Sequence, residues 1–208
     1  MPSASAGAGR GRTDWRRFAV VTVVSVSASA AVLTGMGEGA LAASFQVSGQ
    51  SFAVSFDHLT GEGFQQYAAV DAGADGTVHP VAQTGIRRMT ARRMCQSVAV
   101  PLPAVGDVVL RMTAGDRGEP VTARNLVVDT ETLRAEAEFT GVEIGRDAGT
   151  VHELPGPAGP AGAAGAFAQR ADRVEMSHLR QRARAATAGT FLLPDLSMST
   201  GTDVPECR

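Results

Sequence analysis

The sequence predicts a mainly β fold: a single domain of stacked antiparallel strand–turn–strand units, arranged as a sandwich, a barrel-like sheet or a short solenoid. Two observations carry this prediction. Apolar and polar residues alternate with period two over much of the chain, which is typical of half-buried strands. Glycine-containing clusters, such as TGEG at residues 60–63 and AGDRG at residues 114–118, separate the alternating stretches and indicate turns.

The start of the chain has the features of an export signal. An arginine-rich segment precedes an apolar run, Phe18 to Leu33, which is shorter than the roughly 20 residues needed to span a bilayer. Ala40-Leu41-Ala42 supplies the small-residue pattern that a signal peptidase cleaves. We therefore expect a signal helix in residues 1–42, cleaved after Ala42, and a β-rich exported domain over residues 43–208. An uncleaved N-terminal membrane anchor is the alternative.

Alternating stretches mark the strands expected in residues 43–208. In each stretch, every second residue should face the core. In chain order the apolar positions are Phe45 and Val47; Phe52, Val54 and Phe56; Val108, Leu110 and Met112; Leu126 and Val128; Ala135, Ala137 and Phe139; and Leu196 and Met198. The phase changes after Gly49, which is typical of a β-bulge.

A weak internal repeat supports the stacked units. VSFDHL at residues 54–59, VDTETL at 128–133 and VEMSHL at 174–179 each place a valine and a leucine five positions apart. Repeated units of this kind cannot bury an apolar face alone and must stack on one another. A polar turn or strand, and then a small or aromatic cluster, follows each copy, and the three copies predict three strand–turn–strand units.

A helix is the alternative structure around the third copy. Asp172 and Glu175 have the spacing of a capping box, and Met176, Leu179 and Ala183 keep helical spacing. The residues leave helix and strand open over 172–187.

Glycine occupies every third position in LPGPAGPAGAAGAF, residues 154–167. A collagen helix requires long uninterrupted triplets and three chains, whereas this segment has only four triplets. It therefore predicts a flexible surface loop within the exported domain.

Charge and composition exclude several functions. The net charge of −2 gives no strong field that would attract nucleic acid. All 19 basic residues are arginine, so the chemistry of Schiff-base and phosphate-loop lysines is excluded. The two cysteines, Cys95 and Cys207, predict one structural disulfide if the chain is exported.

Motifs for catalysis are weak. The nearest approach to a Gly-x-Ser-x-Gly elbow, GQSFA at residues 49–53, lacks the second glycine. If the chain is a hydrolase, Ser51, His58 and Asp57 are the first candidates for its catalytic residues, although the neighbours Asp57 and His58 are poorly placed for a triad. The four histidines, His58, His79, His152 and His178, match no metal-ligand spacing, and we expect neither a metal nor a cofactor.

Six stretches in order resemble an uncharacterised family of exported actinobacterial proteins, whose members often carry the automatic label cholesterol esterase. The stretches are ALAASFQVSGQSF, GFQQYAAVDAGADGTVHPVAQTGI, MCQSVAVPLP, ARNLVVD, VEIGRDAGT and HLRQRARAATAGTFLLPDLSMS. The resemblance covers nearly all of residues 43–208, including both cysteines. It implies an envelope-associated or secreted β-rich domain and, as a partner, a small multi-pass membrane protein. It supplies no catalytic residues.

These observations favour an exported, non-catalytic domain of the cell envelope or a secreted one, which binds or scaffolds at the cell surface. A lipid or sterol ester hydrolase, as the family label suggests, is the first alternative. A carrier of an apolar ligand is the second. The sequence leaves the oligomeric state open.

Overall fold

The computed structural model describes residues 50–72, 76–151 and 162–207, which form one antiparallel β structure. Its strands are β1 (Phe52–Ala72), β2 (Val78–Arg92), β3 (Met94–Leu102), β4 (Gly106–Ala114), β5 (Val121–Thr140), β6 (Glu143–Asp147), β7 (Phe167–Thr187), β8 (Thr190–Leu192) and β9 (Ser197–Gly201). A 3-10 turn, Ala148–Thr150, follows β6. Within the described ranges, no helix has the length and apolarity that crossing a membrane requires. The predicted mainly β fold is confirmed.

Four long strands pair in a closed circuit, which we call the ring: β1 with β2, β2 with β5, β5 with β7, and β7 with β1. At one level of the ring, Phe64 of β1 lies opposite Ile86 of β2 and Ala171 of β7. Ile86 in turn lies opposite Leu126 of β5. These four side chains belong to one buried apolar cluster, in which Phe64 is only 1% exposed. The ring therefore holds the main core of the domain.

Three further strands extend the sheet beyond the ring, and we call them the wing. β3 pairs with the first residues of β1, β4 pairs with β3, and β9 pairs with β4. β2 and β3 pair with β1 in one continuous register, His58 opposite Arg92 and Ser55 opposite Cys95. Only Arg93 separates them, with a φ of 50°. The wing is thus a continuation of the ring, bent at one residue. The two remaining strands are short, with β6 on β7 and β8 on β5.

The Val–Leu repeat lies within three ring strands, near the start of β1 and in the middle of β5 and β7. The chain does not turn inside any copy. Instead, two successive polar residues face outward, and the buried face resumes at the leucine. In the first copy, Val54, Phe56 and Leu59 are buried while Asp57 and His58 are exposed. With strict alternation, two residues five positions apart face opposite sides of a strand. The extra outward residue in each copy therefore explains how a valine and a leucine five apart face the same side.

The third copy makes the irregularity visible in the backbone. Val174, Met176 and Leu179 are buried, and His178 between them is exposed with a φ of 53°. The first and third copies pair directly, Phe56 opposite Leu179. Residues 172–187 are therefore strand, and the helical alternative is wrong.

One predicted turn is also wrong. Residues 60–63 continue β1, and Gly61 lies in the core because a side chain there would meet Ile86 and Val174. The glycine marks a close approach of packed strands rather than a turn. Residues 115–120, by contrast, do connect β4 to β5 as a loop.

Some expectations fall on residues that the structure does not describe. These are the export signal in residues 1–42, its cleavage after Ala42, the strand expected at Phe45 and Val47 with the phase change after Gly49, and the loop from residue 154 up to residue 161. The last part of that loop is a turn held by Asp147, whose carboxylate accepts from the Gly149 and Gly165 N–H groups at 2.8 and 2.9 Å. These two hydrogen bonds hold the pKa of Asp147 below its ordinary value.

Candidate functional site: an apolar groove between ring and wing

A groove of about 410 Å³ opens where the wing leaves the ring. Its walls are mostly apolar, and none of the described residues that line it carries a charge. The lining residues are Gln50, Phe52, Gln96, Val98, Met112, Leu126, Ala186, Thr187, Ala188, Phe191 and Leu193. The groove is therefore suited to an uncharged, apolar occupant.

The wing contributes one complete wall of the groove. Gln96 and Val98 of β3 lie opposite Met112 and Leu110 of β4, so all four side chains are on one face of the wing. This face is the one that the alternation of Val108, Leu110 and Met112 predicts to be buried. Leu110 is nevertheless 39% exposed. The expected burial of this face is therefore incomplete, and two of its apolar side chains, Val98 and Met112, line the groove.

The opposite face of the wing is covered by the end of the chain. Val109 and Ser97 are buried on that face, and the Cys207 N–H donates to Ser97 Oγ at 2.9 Å. The predicted disulfide between Cys95 and Cys207 is present, and it joins the chain terminus to β3. Because the tail occupies one face, only the other face of the wing is available to the groove.

The segment after β7 forms the outer wall, and two backbone hydrogen bonds fix its ends. The Gly189 N–H donates to Arg124 O of β5 at 2.9 Å, and the Gly115 N–H donates to Pro194 O at 2.8 Å. Between these anchors, Phe191 and Leu193 point toward the groove, and Leu193 packs against the main core. The wall is thus built from residues far apart in the sequence but is well anchored.

The three hydrolase candidates are not assembled into a catalytic triad. Ser51 Oγ accepts a hydrogen bond from Arg182 at 3.1 Å. Asp57 forms an ion pair with Arg93 rather than with a histidine. His58 Nδ1 lies 3.4 Å from Ser177 Oγ, not near Ser51.

Asp57 and His58 line a second cleft, of about 360 Å³, together with Arg92, Arg93 and Asp116. Charged and polar side chains dominate this cleft. Ser51 does not line it, so the cleft lacks the proposed nucleophile. The geometry gives no support to an ester hydrolase built from these residues.

The other histidines are also dispersed. His178 Nδ1 is 3.8 Å from Glu136 on the exposed surface, and His79 lies on β2. His152 is outside the described residues. In the described part of the chain, no three His, Cys, Asp or Glu side chains come together as metal ligands. The expectation that the domain carries no metal or cofactor stays a prediction.

A buried polar cluster lies near the ends of the ring strands, and sequence reasoning missed it. The Arg184 side chain, only 7% exposed, donates to Asp71 at 3.1 Å and to Glu131 at 2.9 Å. By alternation, Arg184 should share an outward face with Arg180 and Arg182. A register shift between β5 and β7 at this point turns Arg184 inward, and no local sequence signal marks it.

Tyr67, Gln83 and Asp129 extend this polar cluster across three strands. The Tyr67 hydroxyl donates to Gln83 Oε1, and Gln83 Nε2 donates to Asp129 Oδ1 at 2.9 Å. Burial raises the pKa of Asp129 above its ordinary value, and the charge of Asp71 adds to the rise, although the Gln83 hydrogen bond opposes it. Burial and the charge of Asp129 likewise raise the pKa of Tyr67. The cluster thus joins three strands of the ring through side-chain hydrogen bonds.

Comparison with known proteins bears on identity but not on activity. No curated protein matches the chain, and no solved structure matches it. A family model does match, over residues 48–208, which include the ring, the wing and both cysteines. The chain therefore belongs to the family of unknown function DUF6230.

Proposed function

We propose that this chain is an exported, non-catalytic domain that acts at the cell surface by binding an apolar ligand in the groove. The observation that carries the proposal is the groove itself. Its volume of about 410 Å³ lies within the range of roughly 300–1,000 Å³ that small-molecule sites occupy. This proposal joins binding at the cell surface, the first function that the sequence favours, to the carrier alternative.

The chemistry of the walls supports an apolar ligand. Phe52, Leu126, Phe191 and Leu193 offer apolar surface, and Met112 adds a flexible side chain that adapts to ligands of different shape. The polar groups in the lining are uncharged, from Gln50, Gln96 and Thr187. A hydrocarbon moiety would gain free energy by leaving water here, whereas a charged group would find no counter-charge among these residues.

Binding without catalysis is supported by the partners of the candidate residues. Ser51, Asp57 and His58 are each engaged with a different side chain. Export is supported by the signal-like N-terminus and by the disulfide, since disulfides persist in oxidising compartments. A small multi-pass membrane protein stays a proposed partner on the strength of the family resemblance alone.

Two neighbouring residues of β8 provide a matched test. Phe191 lines the groove, whereas Leu192 is not among the lining residues although it is more exposed, at 57% against 40%. The probe is Nile red, an uncharged dye whose fluorescence increases when it enters an apolar site. We expect Phe191→Ser to weaken probe binding about eightfold, because it removes roughly 50 Å² of apolar contact with the probe. Leu192→Ser should leave probe binding unchanged.

The result that overturns the proposal is absence of saturable probe binding, or equal loss in the two variants. Catalysis is tested in parallel with short- and long-chain esters. Turnover that disappears in Ser51→Ala would show that the domain is an enzyme.

A further inference from the structure

The hairpin between β3 and β4 ends in an exposed apolar tip, residues 100–105, with the sequence VPLPAV. Val100, Leu102 and Val105 are 36, 44 and 59% exposed. No charged residue occurs between Gln96 and Gly106. Such a continuous uncharged, apolar projection is unusual on a water-facing surface, where exposed hairpin tips carry polar turn residues.

We infer that this tip inserts into the interfacial region of a lipid bilayer and holds the domain on the membrane surface. The inference goes beyond ligand binding in the groove and does not require it. The β3 face that lines the groove at Gln96 and Val98 continues through Val100 to Leu102, because alternate residues of a strand share a face. The mouth of the groove would therefore lie close to the lipid surface.

The backbone of the tip favours lipid as the occupant. A segment that enters hydrocarbon must satisfy its own backbone donors, because lipid offers no hydrogen-bond partners. Pro101 and Pro103 have no N–H group, and the Val105 N–H donates to Leu102 O within the turn at 3.3 Å. A hairpin that binds a protein partner typically presents free backbone donors or aromatic and arginine side chains to that partner. This tip has no aromatic or arginine side chain.

The charge of Asp107 sets the depth of insertion. Asp107 is exposed and lies opposite Pro101 in the β3–β4 register. Only residues 102–106 project beyond this pair, about 5–7 Å at the rise of an antiparallel strand. This matches the depth of roughly 5–10 Å that interfacial segments reach. The expected attachment is therefore shallow and reversible.

Vesicle flotation of the exported protein tests the inference. Two sets of vesicles, of pure phosphatidylcholine or of equal parts phosphatidylcholine and phosphatidylglycerol, contain no protein. A third set contains reconstituted membrane proteins in the same lipids. We expect the wild type to float with both kinds of protein-free vesicle. Leu102→Asp should reduce partitioning into the vesicles about tenfold, because a leucine side chain then no longer enters the hydrocarbon. Asp107→Asn should strengthen partitioning, most clearly with the anionic vesicles.

A matched control comes from the opposite region of the sheet. Val142, next to β6, is exposed to the same extent as Leu102, at 44%, so Val142→Asp adds the same charge at an equally exposed apolar position. It should float like the wild type. Val105→Asp repeats the test at a second tip position, and near-ultraviolet circular dichroism of each variant verifies folding.

Three results would overturn the inference. They are a wild type that does not float, equal losses in Leu102→Asp and Val142→Asp, and flotation only with vesicles that contain membrane proteins. The last result would assign the tip to a protein partner. Probe binding in the groove is measured on the same variants, and we expect the tip variants to retain it, which separates failure of membrane attachment from failure of the proposed ligand site.

Discussion

Replacing both Cys95 and Cys207 with serine should lower the free energy of unfolding by as much as about 5 kcal/mol. The two residues are separated by 112 positions, and the chain-entropy relation gives that value for a loop of this length. The effect arises mainly in the unfolded chain, since the cross-link restricts its conformations. Urea unfolding, followed by circular dichroism, measures both the free energy and its dependence on urea.

The dependence on urea separates two explanations of the loss. If the disulfide acts on the unfolded chain, its removal lets that chain expand, and the slope of free energy against urea should increase. If the contact of the tail in the native state is what matters, deleting residues 206–208 from the double-serine variant should lower the free energy of unfolding further. The deletion also removes the hydrogen bond from the backbone N–H of residue 207 to Ser97 Oγ. A double-serine variant within about 1 kcal/mol of the oxidised wild type, at unchanged slope, would refute the reasoning.

Three other changes probe the ring. Asp129→Asn should stabilise the domain at neutral pH. Because the pKa of the Asp129 carboxyl is raised in the folded protein, the stability that its protonated form contributes is fully present below about pH 4 and is lost as pH rises through the folded-state pKa. The thermal midpoints of the variant and the wild type should therefore converge in acid. A variant that is less stable at neutral pH than in acid, relative to the wild type, would contradict this. Gly61→Ala should cost about 1–3 kcal/mol in urea unfolding, because its Cβ would lie 2.8 Å from Ile86 Cγ2, and a neutral outcome would mean that the strands separate easily. Arg184→Ala should lower the free energy of unfolding by about 2–3 kcal/mol, because it leaves two partly buried carboxylates without their cation. Arg182→Ala, at an exposed position, should change it by no more than about 0.5 kcal/mol. Equal effects of the two substitutions would show that burial of Arg184 is unimportant.

The strand content and the disulfide could be predicted because both have local or simple signals. Alternation of side chains follows directly from the geometry of a strand, and two cysteines permit only one intramolecular bond. Even the Val–Leu repeat was informative, since Val54–Leu59 and Val174–Leu179 do form equivalent parts of paired strands. Its polar pairs, however, look like turns in the sequence, whereas in the structure they are outward residues of continuous strands.

The groove and the polar cluster depend on information that no short stretch contains. The groove requires the ends of β1 and β7, the middle of β5 and two wing strands to meet, and alternation cannot tell a fully buried apolar face from one that borders a groove. Arg184 is inward only because the register shifts next to it. Ser51, His58 and Asp57 were the nearest match to a known chemistry, and strand pairing gives each a different partner.

Closure of the ring has a consequence for how this chain folds. β1 and β7 stand at the two ends of the domain, and paired positions such as His58 and Ser177 are 119 residues apart. A core enclosed by such pairings has high contact order, and its closing step must overcome the entropy of a long loop. Folding should therefore be slow and should finish only after the last long strand is available. Until β7 has paired with β1, a chain with this topology leaves the apolar side chains of its ring strands exposed, and this intermediate is the state in which it is most prone to aggregate.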